Sequence, residues 1–99
     1  MTPATFRRSL EQEAPPTGLS PALTALWWLG KDQWDKAHEL VADEGGADCA
    51  WVHAHIHRIE GDLDNARYWY RRAKREPAHG ELAAERAEIA AALLAPERR

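Results

Sequence analysis

Residues Asp48 to Gly61 read DCAWVHAHIHRIEG, with histidine at 53, 55 and 57. Such alternation suits a strand, whose side chains point to opposite faces with period two, so that three imidazoles share one side and form an HxHxH metal site. The flanking residues say otherwise. Asp48 belongs to the residue types that cap helix N-termini, and Gly61 to those that end helices in a left-handed turn. A helix is therefore expected from Cys49 to Glu60. At about 100° per residue it places His53 and His57 one turn apart on one face, with Glu60 a turn later. His55 then points elsewhere, near Trp51.

The rest of the chain agrees with a helical fold. Ala, Leu, Glu, Arg and Trp dominate the 99 residues, β-branched residues are few, and no useful length alternates like a half-buried strand. An apolar fraction of 44% beside 29% charged residues describes one soluble globular domain. Apolar runs such as Ala25 to Leu29 are far short of the ~20 residues of a membrane span. Arg7 and Arg8 are not followed by the apolar segment of a secretory signal, so a cytoplasmic location is expected. Cys49 is the only cysteine, which excludes an intrachain disulfide and any cysteine-based zinc framework. A net charge of −3 argues against generic nucleic-acid affinity.

Punctuation divides the chain into five predicted helices. Residues 1–19, with Pro3, Pro15, Pro16 and Gly18, read as a partly ordered arm in which TFRRSLEQE holds at most two turns. Ser20 and Pro21 make a cap followed by proline at the first helical position, and that helix runs to about Lys31. Asp32 is placed to cap a second helix that stops at Gly45 and Gly46, giving a first hairpin over 20–44. The Asp48 helix pairs with one capped by Asp62 and running from Leu63 to Arg75, a second hairpin over 48–75. After Pro77 and Gly80, ELAAERAEIAAALLA forms a last helix over 80–95 that caps the open side of the stack.

Laid over one another, the hairpins look like copies: Trp34 falls on Leu63, Asp35 on Asp64, Ala37 on Ala66 and Val41 on Tyr70 at one spacing. The segment Ile59 to Pro77 resembles the second half of a tetratricopeptide repeat, with Gly61 at the turn, Leu63 at the bulky position, Ala66 at the small one, Tyr70 at the aromatic, Ala73 at the second alanine and Pro77 one place early. The first hairpin matches through Trp34 and Ala37, with Val41 at the aromatic position and Asp32 where the turn glycine belongs. The copies lie closer together than the family's roughly 34 residues. The whole chain also resembles short, largely uncharacterised bacterial proteins with a WDKAHEL, AWVHA, EGD and YWYRRA pattern. The resemblance implies an all-α, TPR-like stack of two antiparallel hairpins plus a capping helix, used to bind proteins or peptides.

Three constellations bear on function. The first is the polar cluster of His53, His57 and Glu60, which His38 joins if it faces the neighbouring hairpin. Two imidazoles at i and i+4 with a carboxylate a turn later can hold a transition ion. Ala54 stands where a zinc protease of the HExxH type carries its glutamate, so that reaction is not supported. The alternative is two packed histidines hydrogen-bonded between helices. The second is the stripe of Arg67, Arg71 and Lys74, interleaved with Tyr68 and Trp69. It suits an acidic partner through arginine forks, RNA through phosphate contacts and base stacking, or a solvated helix end. The third is aromatic. If the repeat register holds, Trp51, His55 and Arg58 face a groove that Trp27 and Trp28 extend, the residue types that dominate recognition hot spots; the alternative is an unusually aromatic core. No phosphate loop, nucleophile elbow or calcium loop is present, and no cofactor is called for. The leading expectation is a non-catalytic module that binds a protein or peptide partner or self-associates. The alternative is a ligand or metal pocket on His38, His53, His57 and Glu60.

Overall fold

The computed structural model describes residues 1–95, and among them every regular element is a helix. There are six: α1 (Pro3–Ser9), α2 (Pro21–Gly30), α3 (Trp34–Ala42), α4 (Ala47–Glu60), α5 (Leu63–Ala73) and α6 (Leu82–Leu94). The extra one is α1, in the segment expected to be a partly ordered arm. Thr2 caps it by accepting from the Thr5 amide, and Pro3 supplies the first helical position. Its hold on the rest of the chain is tertiary. Phe6 and Ser9 are buried, Trp27 Nε1 donates to Ser9 Oγ at 3.1 Å, and Lys31 Nζ donates to the carbonyls of Leu10 and Gln12 at 2.7 and 2.9 Å. A tryptophan N–H in the core needs an acceptor, and a seven-residue helix brings it one.

Helix α2 starts as its sequence dictates, with Ser20 Oγ accepting from the Leu23 amide. Ala22, Leu23, Ala25, Leu26, Trp27 and Leu29 are all buried, so α2 is apolar on nearly every side and lies in the centre. The connection to α3 departs from expectation. Asp32 takes a left-handed conformation, φ +60°, and Gln33 becomes the N-cap without a side-chain bond. The short reversal needs a left-handed residue, a role Asp tolerates, and a residue so placed cannot also adopt the extended geometry of a cap. Helix α4 begins two residues early, with Gly46 as N-cap, which puts Asp48 inside the first turn, where its charge complements the helix dipole. Gly61, at φ +82°, ends α4, and Asp62 accepts from the Asn65 amide at the start of α5.

α4 is the hub. It touches α2, α3, α5 and α6, and Val52, Ala54, His55 and Ile56 have no exposed surface. Ala37 and Ala66, both buried, let α3 and α5 approach their neighbours closely. Helix α6 lies on the side of α4 away from α3, with Ile89 and Ala90 buried and further contacts to α1 and α2. No helix among the described residues is long and apolar enough to cross a membrane.

Candidate functional site

Because side chains advance by about 100° per residue along α4, its three histidines separate into two sets. His53 and His57 face α3 and α5, while His55 faces α6. The two sets build different polar clusters.

The first lies between the hairpins. His38 comes over from α3, and its ring centroid is 4.9 Å from that of His53 and 5.8 Å from that of His57. The His53 and His57 rings stack at 4.9 Å, 19° from parallel, and His38 stands nearly perpendicular to both. One nitrogen from each imidazole lies within 4.8 Å of the other two. Two tryptophans hold the rings in place. Trp34 stacks on His38 at 5.2 Å, and Trp69 of α5 on His53 at 3.9 Å. His57 Nδ1 meets Glu60 Oε1 at 2.6 Å, the partner a turn away that the spacing predicts.

Hydrogen bonding in this cluster is incomplete. His53 Nδ1 and Trp34 Nε1 are buried without a partner among the described residues. The His53 pKa is lowered to about 4, first by burial, then by the positive charges His57 and His38 carry when protonated. At neutral pH His53 is therefore an uncharged imidazole with a lone pair to offer. His38 is the half-buried member, whereas His53 and His57 are buried. A second group of three, His57 with the exposed Glu60 and Asp62, adjoins the cluster.

The second cluster is anchored by Glu85, which sequence reasoning missed. Its carboxylate is buried under α6 and meets His55 Nδ1 at 2.8 Å, while Arg58 donates to it at 2.8 Å and the Tyr70 hydroxyl donates as well. Burial pushes the Glu85 carboxyl up, but the hydrogen bonds from His55, Tyr70 and Arg58 outweigh it and hold the group below the ordinary carboxylate range. Tyr70 is raised by burial and by the same carboxylate. Arg58 also donates to the Gly80 carbonyl, which ties the segment before α6 to α4. The available signal was Ile89, four residues after Glu85, which puts a carboxylate on the buried stripe of α6.

This cluster overturns the expected groove. Trp27 and His55 have no exposed surface, Trp51 is buried with the Arg75 guanidinium 3.7 Å above its ring, and Arg58 is turned into the Glu85 network. Trp28 stays half-buried, with Lys36 over its face. The α6 helix fills the space that an open hairpin stack would leave. The basic stripe is exposed: Arg67 pairs with Asp64, Arg71 projects outward, and Lys74 forms the left-handed end of α5. Comparison with protein-family models, curated proteins and solved structures gives no match, so chemistry alone must supply the functional reading.

Proposed function

We propose that this chain is a ligand-binding helical module, a shortened relative of tetratricopeptide-type hairpin stacks, whose binding site is the imidazole cluster His38, His53 and His57 with Glu60 beside it. One observation carries the reading. Three imidazoles converge from two hairpins, and a buried nitrogen of one of them has no partner among the described residues. Leaving a buried polar group unsatisfied costs about 1–3 kcal/mol; His55 Nε2 in the Glu85 cluster is likewise without a partner among the described residues, so the convergence of three imidazole nitrogens is what singles this cluster out. The residues supply ligating and hydrogen-bonding atoms, which supports a binding role.

Native mass spectrometry of tag-free protein isolated from cells tests this. A mass excess over the bare chain is expected, and His38→Ala releases it. Bare protein in both cases would sink the proposal.

Protein recognition is a second reading, supported by the outer side of α5, where Leu63 and Tyr68 stay exposed among Arg67, Arg71 and Arg72. An acidic peptide is the partner class that this mixture suits. Loss of chemical-shift changes with acidic peptides after charge reversal at Arg67 and Arg71 is the expected behaviour, and an absence of changes in the unaltered chain removes the reading.

A further inference from the structure

We infer that His38, His53 and His57 hold a single divalent transition ion, zinc in the first instance, clamping the hairpin of α3 to that of α4 and α5. The inference rests on the ligand-site reading above and names its occupant.

A packed histidine cluster and a metal site differ in how the nitrogens are used. Packed imidazoles are expected to hydrogen-bond to carbonyls, carboxylates or each other. Here neither His38 nor His53 makes a side-chain hydrogen bond among the described residues, and their contacts are aromatic stacks that orient rings without engaging nitrogen lone pairs. The one bond present is the one a metal site uses. A ligating histidine commonly gives its other ring N–H to a carboxylate, which fixes the tautomer and raises the basicity of the ligating nitrogen. His57 Nδ1 is engaged by Glu60 in that way, leaving Nε2 for the ion.

The distances suit the ion. Tetrahedral zinc at 2.0–2.1 Å from each nitrogen sets the nitrogens roughly 3.3 Å apart. Three that already lie within 4.8 Å of one another need only modest ring rotation, and the half-buried His38 is the ring with room to turn. Imidazole is a good ligand for zinc, copper and nickel alike, whereas calcium and magnesium want oxygen. Glu60, exposed beside His57, partly offsets the charge of a dication without displacing an imidazole. An organic anion is a poorer match. The groups meeting here are three imidazoles, two of them buried, walled by two indoles, and no lysine or arginine among the described residues hydrogen-bonds to them.

The test uses the full-length chain without a histidine tag, stripped by chelator and titrated with zinc chloride in a calorimeter, with circular dichroism as the check on folding. One ion per chain with saturable binding is expected. His38→Ala should weaken it by more than about 100-fold and Glu60→Gln by about 10-fold, with helix content unchanged. Asp62→Asn should leave it alone. Absence of saturable binding to the folded chain overturns the inference, and so does binding that survives His38→Ala or is abolished by Asp62→Asn. Should the chain as isolated carry an organic molecule instead and take up no zinc, the ion assignment falls while the ligand-site reading stands.

Discussion

The imidazole of His53 lies flat against the indole of Trp69, ring centroids 3.9 Å apart and planes 15° from parallel. This stack shields one side of a ring that protonates only with difficulty. Replacing Trp69 with alanine lets water reach His53 and relieves its desolvation, so its pKa should move from about 4 back towards the ordinary 6.5. A titration of the imidazole C–H resonances by NMR measures this. A His53 pKa that stays near 4 would show that its neighbours' charges, not burial, dominate.

Stability should follow pH in the same sense. The unfolded chain takes up a proton on His53 below about 6.5, and the folded chain resists until about 4. Between these values the unfolded state binds more protons, so stability rises with pH and falls on acidification. Glu85 adds a second stage. Its folded pKa is depressed, so its contribution is complete above the ordinary 4.5 and is lost as pH falls through the lower folded value. Melting temperature should therefore decline first from about pH 6.5 to 4, then again as Glu85 takes up its proton. His53→Gln should flatten the first stage, and Glu85→Gln the second.

Removing Glu85 should cost far more than an exposed ion pair would. Glu85→Ala strands Arg58, His55 and the Tyr70 hydroxyl in a buried place, and breaking such a network costs roughly 3–5 kcal/mol. Chemical denaturation measures the loss. Glu85→Gln, which keeps an acceptor, should lose clearly less. Equal losses would mean that charge, not hydrogen bonding, holds α6 in place.

The hold of α1 on the core is testable at one atom. Ser9→Ala removes the acceptor for Trp27 Nε1 and leaves a buried N–H unpaired, worth about 1–3 kcal/mol. Denaturation midpoints of Ser9→Ala and of the same change combined with Trp27→Phe decide the matter. The second background has no N–H to orphan, and the serine should then matter little.

What could be read in advance depended on whether a signal was local. Ser20 with Pro21 and Gly61 with Asp62 act on backbone within a few residues, and the helix ends they announce stand where the chain puts them. The same arithmetic of 100° per residue separated His55 from His53 and His57. Asp32 failed because two local roles, cap and left-handed turn, compete for one residue and the tight reversal wins. Helix α1 and Glu85 were illegible for a different reason. Seven residues make a helix too short to persist alone, so α1 exists through Trp27 and Lys31, far along the chain. A glutamate in the first turn of a helix satisfies the dipole rule on its own, and nothing local reveals that three donors from α4 and α5 wait for it.

The position of α4 against four other helices also decides what the folding unit is. In an open array each hairpin meets only the next, and ends can fray while the middle stays ordered. Here α2, α3, α5 and α6 all lean on one rod, and cutting the chain at Gly45 and Gly46 parts α2 and α3 from α4 and α6. Neither half keeps a closed interior. A molecule built this way is expected to melt as one unit, with α5 the flank where no described helix other than α4 makes substantial contact.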